Sequence, residues 1–500
     1  MKQPIRTYLC LFLLLLGAAG VVRAQSNKVY HPMIHTLQTI VNDDWLHDDV
    51  ITLGTDDWVT ISFDHFTHDY HRFTYKIVHC NADWTPSDLF EVDYMDGFND
   101  QPIEDYDNSL NTTMLYTHYR LDLPNDNIQF KASGNYRVEI YLDDDENENE
   151  DDAAELQAVG HWPLAVGSRD DADARGASVA TAAGLSAQRS VACNLYEDDA
   201  AQLQVKGEGL KVNGQEPIAN SQEPRATHPL VAVACFRVVE PRMGLNVAVT
   251  SNTDIDTNLS HQQVSFTLNY NSSEVVDPTT EIKPYIYQNS RTDNAVALVK
   301  PTYVTPGRLE YVHNRQLIFP AGNEYRRFEV INMHYATQGV DRVTYFEPYY
   351  HATLLPDAPR RNYSFDMDHD GRYLIRYNMA QDTDIEADYL FVHFTLDMPR
   401  RTGGDFYLTG EFTYNSFTPE YKMEYNTAEQ CYEATVLLKQ GAYDFMYLWV
   451  PEGSGVGQTA PAEGNFYEAE NEYQVYIYHR PFGGRYDRLV ATQQIKFAQE

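Results

Sequence analysis

The sequence predicts an all-β protein built from about three immunoglobulin-like β-sandwich domains in tandem. Apolar and polar residues alternate in many short runs, such as "YRVEIYL" at 136–142 and "DYLFVHFTLDM" at 388–398. Alternation with a period of two puts the apolar side chains on one face of a strand, which is typical of half-buried antiparallel sheets. Amphipathic helical repeats are almost absent from the chain. A length of 500 residues allows about three such domains.

The first 24 residues have the pattern of a secretory signal peptide. Lys2 and Arg6 precede the apolar run "LCLFLLLLGAAGVV", and small residues come before an expected cleavage site at Gln25. The run is shorter than the roughly 20 residues that favour a membrane-spanning helix. No later stretch is apolar enough to cross a bilayer, so we expect a soluble exported protein that does not insert into lipid.

The chain is strongly acidic, with 73 Asp and Glu residues, 37 Lys and Arg residues and a formal net charge of −36. Cleavage after residue 24 would make the mature chain more acidic still, because the signal peptide contains basic residues and no acidic ones. Such a surface repels nucleic-acid phosphates and anionic lipid headgroups. We therefore expect neither nucleic acid nor a lipid surface as a partner.

Turn-forming residues divide the predicted strands into three domains. Pro241 and Gly244 interrupt the strand pattern after Glu240, and Pro399 and Gly403 separate two later strand runs. The predicted domains are an N-terminal sandwich at 25–241, a middle sandwich at 242–400 and a C-terminal sandwich at 401–500.

An acidic, low-complexity insertion interrupts the first predicted domain at about 143–228. It begins with "DDDENENEDDAAE" and continues with runs rich in small residues. A segment of this composition buries too little apolar surface to offset the entropy lost on ordering. We predict that much of it is a mobile connection between two strands of the same domain.

The segment "HCNADWTPSDLF" at 79–90 places His79, Cys80, Asp83 and Trp84 close together in sequence. A thiol beside an imidazole and a carboxylate is a pattern of nucleophilic catalysis. The preceding run alternates, however, so His79 and Cys80 should point to opposite faces of a strand and cannot pair. Asn, Asp, Pro and Ser residues then favour a turn, and Trp84 is placed to cover the end of a core. We interpret the segment as a strand end followed by a turn.

Two other motifs resemble metal sites. In "DMDHDG", Asp366, Asp368 and Asp370 match positions one, three and five of a calcium loop, but position twelve is Tyr377 where a bidentate Glu is required. A turn between strands is favoured, and calcium binding by Asp366–Asp370 stays open.

A histidine cluster, His65, His68 and His71, has helical spacing but lies between strand-like runs. The three rings should therefore not converge, and a solvated loop is favoured over a metal site.

Four cysteines follow the signal peptide, namely Cys80, Cys193, Cys235 and Cys431. Their wide spacing fits neither a zinc module nor a dense disulfide scaffold, and it leaves open whether one disulfide forms in an oxidising compartment. A chain of this length does not need disulfides to stabilise its cores.

The common catalytic motifs HExxH, GxSxG, GxGxxG and the P-loop are absent from the sequence. Acidic pairs occur throughout so acidic a chain and single out no site. The sequence therefore predicts no catalytic, cofactor-binding or metal-binding residue, and it predicts that the protein is not an enzyme.

The C-terminal region supports a sandwich and raises a sugar-binding alternative. The run "DFYLTGEFTYNSFTPEYKMEY" and the strands after it resemble early-set immunoglobulin-like modules, which include glycogen- and starch-binding domains. Those binders stack sugar on exposed tryptophans, whereas this chain has Tyr414 and Phe417 at the corresponding turn. A secreted or surface carbohydrate-binding protein is therefore one candidate function.

Several blocks together resemble the type IX secretion system plug protein family of Gram-negative Bacteroidota. The first blocks are "YKIVHCNADWTPSDLFEVDYMDGFNDQPIEDYDNSLNTTMLYTHYRLDLPND" and "FKASGNYRVEIYLDD", and "FRVVE" follows the insertion. The middle contains "IKPYIYQN" and "FPAGNEYRRFEV", and the end contains "LLKQGAYDFMY" and "EGNFYEAENEYQVYIYHRPFGGRYDRLV". The blocks run in order over nearly the whole mature chain, and the acidic insertion departs from the pattern.

The resemblance implies a periplasmic protein without a cofactor. Its partner would be the outer-membrane β-barrel translocon of the type IX secretion system, through which it would associate peripherally with the outer membrane. It would close the translocon pore sterically while no substrate passes and be displaced when a substrate or partner competes.

Overall fold

Residues 26–143 and 228–497 are described by the computed structural model, and they fold almost entirely into β-strands. The prediction of an all-β protein made of tandem β-sandwiches is confirmed. The predicted signal peptide, residues 1–24, lies outside the described residues.

Helical structure in the described part of the chain is limited to single turns. The α-helices are α1 (Glu91–Tyr94), α2 (Pro278–Glu281) and α3 (Thr383–Glu386), and the 3₁₀ turns are Arg315–Leu317, Glu411–Thr413 and Pro419–Tyr421. Among residues 26–143 and 228–497, no helix has both the length and the apolar character needed to cross a membrane.

The first sandwich contains twelve strands. They are β1 (Lys28–Val29), β2 (Ile34–Val41), β3 (Val50–Thr52), β4 (Val59–His65), β5 (Phe73–Cys80), β6 (Met95–Gly97), β7 (Gln101–Pro102), β8 (Asp105–Asn108), β9 (Thr117–Leu123), β10 (Ile128–Phe130), β11 (Gly134–Leu142) and β12 (Leu230–Val239). One sheet has the order β1-β12-β11-β5-β7, with β3 parallel to β12. The other has the order β2-β4-β9-β8, and β6 pairs with β10 separately.

Side chains from both large sheets fill the core of the first sandwich. In β9 every second residue is buried, as the period-two pattern requires. The rings of Phe63, Phe73 and Tyr119 pack together with centroids 4.8 to 5.2 Å apart. Each such buried aromatic contributes about 1.5 to 3 kcal/mol through removal of apolar surface from water.

The two strands that flank the acidic segment are direct neighbours. β11 and β12 pair antiparallel from Gly134 opposite Val238 to Tyr141 opposite Leu230. Beyond these pairs, the backbone N–H of Leu142 donates to the carbonyl of Pro229 at 3.1 Å. Asp143 Oδ1 and His228 Nε2 are 2.9 Å apart. The predicted mobile insertion between them, residues 144–227, lies outside the described residues.

We expect the acidic insertion to be dispensable for folding. Replacing residues 145–226 by a short Gly/Ser linker should preserve cooperative unfolding and the β-sheet circular dichroism signal, because Asp143 and His228 already lie within hydrogen-bond distance and a short hairpin loop can join them. Far-ultraviolet circular dichroism during thermal unfolding checks this. Loss of the β-sheet signal in the shortened chain would show that the segment belongs to a core.

The second sandwich begins after Pro241. Its first strands are β13 (Gly244–Thr250), β14 (His261–Asn269), β15 (Ile282–Gln288), β16 (Val296–Ala297), β17 (Tyr303–Thr305), β18 (Arg308–Tyr311) and β19 (Ile318–Pro320). One sheet has the order β13-β14-β18-β17, and β19 also pairs with β14.

The third sandwich follows in the chain. Its strands are β20 (Arg326–Val330), β21 (Val340–Phe346), β22 (Tyr349–Leu354), β23 (Tyr373–Ile375), β24 (Tyr389–Leu396), β25 (Gly404–Thr409), β26 (Glu424–Asn426), β27 (Cys431–Lys439) and β28 (Gly441–Pro451). One sheet has the order β20-β28-β23, with β25 also on β28, and the other has the order β21-β22-β24-β27-β26.

The last two strands, β29 (Glu472–His479) and β30 (Arg488–Lys496), return to the second sandwich. They complete a sheet of order β16-β15-β29-β30, whose side chains share one core with β13, β14 and β18.

These pairings correct the predicted boundary near residue 400. β24 lies before it and β27 after it, yet the two strands pair along eight residues from Tyr389 opposite Lys439 to Leu396 opposite Tyr432. The predicted domains 242–400 and 401–500 are therefore wrong. The second sandwich consists of β13–β19 together with β29 and β30, and the third sandwich, β20–β28, lies between these two parts in the sequence. Gly403 and Gly404 mark a turn inside the third sandwich, and turn residues alone do not distinguish such a turn from a linker.

Buried polar contacts join the sandwiches. Lys439 Nζ on β27 lies 2.6 Å from Asp64 Oδ2 on β4, which links the third sandwich to the first. The hydroxyl of Tyr478 on β29 donates to Asn135 Oδ1 on β11 at 2.6 Å, which links the second sandwich to the first. All the described residues belong to one compact unit. The three sandwiches are thus held together by interactions that would be costly to break.

Candidate functional site

His79 and Cys80 end β5, and they face opposite sides of its sheet. His79 Nδ1 lies 2.8 Å from Ser87 Oγ, and its Nε2 lies 3.1 Å from the carbonyl oxygen of Ser133. Cys80 packs on the other side, in a small apolar cluster with Trp84. Burial lowers the pKa of His79 to about 4 and raises the pKa of Cys80 to about 12. The prediction that the two side chains do not pair is confirmed.

Trp84 closes the turn after β5. Its backbone N–H donates to the carbonyl of Asn81 at 2.9 Å, and its φ of 62° is in the left-handed region. Only 4% of its surface is exposed, so the predicted burial is confirmed. Packing of the indole offsets the backbone strain that a non-glycine residue has in this region.

The turn after β5 contacts the loop between β29 and β30. Asp487 is buried in this loop, and its carboxylate accepts from the N–H of Ala82 at 3.1 Å, from Lys283 Nζ at 2.8 Å and from Arg480 Nε at 2.8 Å. The ring of Tyr486 packs on His79 at 5.2 Å. The "HCNADW" and "GGRYDRLV" blocks, which are far apart in sequence, therefore form one interface.

The three aspartates of "DMDHDG" have separate partners. Asp366 Oδ1 lies 3.5 Å from Arg327 Nη1, Asp368 accepts from the backbone N–H of Tyr325, and Asp370 Oδ2 lies 3.1 Å from Lys496 Nζ. Within the described residues, no group of three or more His, Cys, Asp or Glu side chains is arranged to hold a metal ion.

The histidine cluster differs from its prediction. His65 is the last residue of β4 and is fully buried, and its ring contacts that of His71 with centroids 4.8 Å apart. His68 points elsewhere, with Nε2 3.0 Å from the carbonyl oxygen of Ser109. The predicted solvated loop is wrong for His65, because β4 extends further than the alternation indicated. His68 and His71 lie in the loop after β4, as predicted, and the three rings do not converge on one point.

Three of the four cysteines lie in the described residues. Cys80, Cys235 and Cys431 are buried free thiols, and Cys193 lies outside the described residues. Burial raises the pKa of Cys235, and it raises the pKa of Cys431 to about 11. Thiols with raised pKa values are poor nucleophiles at neutral pH.

Tyr414 and Phe417 do not form an exposed platform for sugar. Both side chains are half-buried. The Tyr414 hydroxyl accepts from the N–H of Leu37 at 3.2 Å, and Phe417 packs on Tyr407 with ring centroids 5.3 Å apart. Part of each aromatic ring is therefore covered by other residues of the chain.

Sequence reasoning did not identify a polar cavity of about 90 Å³, which is lined by residues from all three sandwiches. Arg237, which is 9% exposed, lies in its wall with Cζ 4.2 Å from the ring centroid of Tyr476 and 5.3 Å from that of Trp84. Glu411 and Arg372 lie in the same lining, and burial raises the pKa of Glu411 to about 7 against the opposing effect of Arg372. Positively and negatively charged side chains both line the cavity, so its charge favours no single class of ligand.

Comparison with known proteins identifies the family. The sequence model described as "Type 9 secretion system plug protein 1st domain" matches residues 34–151. The chain belongs to the type IX secretion system plug protein family. The plug-family match begins in β2 and includes His79, Trp84 and the rest of the first sandwich up to β11. Family membership gives the chain a role in type IX secretion, in the cell envelope.

A solved structure is similar over almost the whole chain. It is the crystal structure of a hypothetical protein from Parabacteroides merdae ATCC 43184, which is 37% identical and has a TM-score of 0.75. The similarity covers 94% of this plug-family chain and 99% of that chain. No curated protein matches the sequence. The arrangement of three sandwiches thus has a counterpart in a solved structure.

Proposed function

We propose that this protein is a non-enzymatic periplasmic plug that sterically closes the outer-membrane translocon pore of the type IX secretion system. The observation that carries the proposal is the match of its first sandwich to the plug protein family. The mechanism is steric: the folded protein binds at the periplasmic mouth of the barrel, blocks the pore, and dissociates when a substrate or partner competes for the site.

The fold supports occupancy because the three sandwiches are interlocked. A chain of flexibly linked domains would let small molecules pass between them. Here the chain leaves the second sandwich at β19, forms the third and returns through β29. Asp64 and Lys439, each about 1–2% exposed, then fix the third sandwich to the first. A body joined in this way can block a pore as one piece.

The burial and separation of the candidate reactive residues support a non-catalytic role. His79 and Cys80 are buried and lie on opposite faces of β5, and the pKa of each is shifted by burial toward its neutral form. Catalysis by this pair would require a thiolate and an imidazole in contact. Tyr414 and Phe417 are half-buried, so they offer less aromatic surface for stacking on sugar than exposed tryptophans would.

The proposal is tested by isolating the protein from its native envelope. An affinity-tagged chain should co-purify from detergent-solubilised outer membranes with a large β-barrel protein of the type IX secretion system. The same tag on an unrelated periplasmic protein is the control. Recovery of the tagged chain without any large outer-membrane barrel would refute the proposed partner.

A further inference from the structure

We propose that an exposed aromatic patch, formed by Phe90, Val92, Phe98 and Phe482, is the surface that docks on the translocon. This inference rests on the proposed function and names the contact through which it acts. The partner surface should offer apolar pockets ringed by Lys and Arg side chains.

All four side chains of the patch are largely exposed. Phe90 and Val92 are 73% exposed, Phe98 is 81% exposed and Phe482 is 94% exposed. Single exposed apolar residues are ordinary, but clustered exposed aromatics mark interaction surfaces. Phe90 and Val92 flank Glu91 at the start of α1, Phe98 follows β6, and Phe482 lies in the loop between β29 and β30.

Side-chain contacts hold the segments that carry these four residues next to one another. Arg485 Nη2 lies 2.8 Å from Asp93 Oδ2, which places the loop of Phe482 beside α1. Asn99 Nδ2 donates to Glu91 Oε1 at 3.1 Å, which places Phe98 beside the same helix. Asn99 is itself fixed to β5, because its Oδ1 accepts from the N–H of Ile77 at 2.8 Å.

The backbone below the patch is also fixed. Tyr94 is buried in the first core, and its hydroxyl donates to the carbonyl of Ile77 at 2.9 Å. Gly97 has a φ of 119° and packs so closely that a Cβ would lie 2.0 Å from the carbonyl oxygen of Asn127. The aromatic side chains therefore project from a rigid support, which reduces the entropy lost on binding.

The acidic residues around the patch favour a positively charged partner. Residues 83–100, which carry Phe90, Val92 and Phe98, contain six Asp and Glu residues and no Lys or Arg. Lys131 and Arg485 pair with Asp96 and Asp93 at 3.0 and 2.8 Å. In the described part of the chain, Asp88 and Glu91 have no Lys or Arg partner within 4 Å. The rim of the patch is net acidic, so it attracts basic surfaces.

The negative charge of the rim disfavours two other binding partners. A second copy of this chain also carries a formal net charge of −36, and anionic lipid headgroups carry charge of the same sign as the rim. Both would be repelled, most strongly at low ionic strength, because salt screens the repulsion between exposed charges. A basic protein surface with apolar pockets complements both the apolar centre and the acidic rim of the patch.

The test replaces the patch in the full-length protein. A variant with Phe90→Ser, Val92→Ser, Phe98→Ser and Phe482→Ser should unfold at an unchanged temperature and recover about tenfold less translocon barrel in the tagged purification, as expected for loss of central interface anchors. The matched control changes four other largely exposed apolar residues, Leu259, Val276, Phe365 and Met379, to Ser. It should recover as much barrel as the wild type.

A second variant separates the rim from the aromatic centre. Asp88→Lys keeps all four apolar side chains and the hydrogen bond between Asn99 and Glu91, and it should also lower barrel recovery. If the fourfold variant fails to fold, Phe482→Ser alone provides the test, because that side chain is almost wholly exposed.

The outcomes distinguish this inference from the proposed function. If the wild type recovers the barrel and the patch variant recovers as much, the docking surface is wrong and the plug function stands. If the wild type recovers no barrel, both fail. If the patch variant only changes the oligomeric state in analytical ultracentrifugation, the patch is a contact between copies and the inference is overturned.

Discussion

Replacing Lys439 by Met will lower the free energy of unfolding by about 3 to 5 kcal/mol, because the change leaves a buried carboxylate without its cation. Asp64 is fully buried on β4, and its Oδ2 lies 2.6 Å from Lys439 Nζ. The Tyr389 hydroxyl donates to the same oxygen at 2.6 Å, and His118 Nδ1 lies 2.7 Å from Oδ1. Burial alone would raise the pKa of Asp64, but Lys439 and His118 hold it below the usual value.

The sign of this pKa shift fixes how the stabilisation depends on pH. A carboxyl whose pKa is lower in the folded state contributes stability above its unfolded pKa, near 4, and the contribution is lost as the pH falls through the folded value. The effect of Lys439→Met should therefore be fully present at neutral pH.

Urea unfolding monitored by circular dichroism measures the effect. Lys422→Met is the control, since Lys422 forms a 2.9 Å ion pair with Asp405 in which the side chains are 39% and 48% exposed, and loss of such a pair costs about 0 to 1 kcal/mol. Adding Asp64→Asn to Lys439→Met should recover part of the loss, because it removes the unpaired charge. A Lys439→Met change as small as that of Lys422→Met would contradict the structural role of this pair.

Replacing Trp84 by Ala will destabilise the first sandwich by about 3 to 5 kcal/mol, the usual cost of truncating a buried tryptophan. The indole is 4% exposed and packs with Cys80, Val233 and Cys235. It also lies under the guanidinium of Arg237, with Cζ 5.3 Å from the ring centroid. The loss should appear as a lower melting temperature.

Two further variants show whether the cost comes from burial. Phe98→Ala removes an aromatic ring that is 81% exposed and should change stability by less than about 0.5 kcal/mol. Trp84→Phe keeps an aromatic ring in the cluster and should cost less than Trp84→Ala. A melting temperature that is the same for Trp84→Ala and the wild type would contradict the burial.

Local features of the fold could be predicted from the sequence because they depend on short-range geometry. Alternation along β5 placed His79 and Cys80 on opposite faces, and the turn residues after them predicted the position of Trp84. The extent of β4 was missed, since His65 continues the strand where the pattern had become polar. Periodicity cannot detect a strand end that is buried by side chains distant in sequence.

Long-range topology and the candidate site could not be predicted in this way. Nothing in "NEYQVYIYH" indicates that Tyr473 pairs with Gln288, because strand partners are chosen by packing across the whole fold. The aromatic patch was missed for a similar reason. Phe98 and Phe482 look like core residues in the sequence. Their assignment to one surface rests on their exposure in the structure and on the contact between Arg485 and Asp93.

The central claim is that this protein closes a pore, and outer-membrane permeability tests it most directly. Uptake of a small dye or antibiotic that the intact outer membrane excludes should rise when the gene is deleted, while the translocon remains assembled. Deleting the translocon barrel as well should abolish the extra uptake, which separates an open pore from a generally damaged membrane. A deletion strain whose uptake equals that of the wild type, with the barrel present in normal amount, would contradict the account.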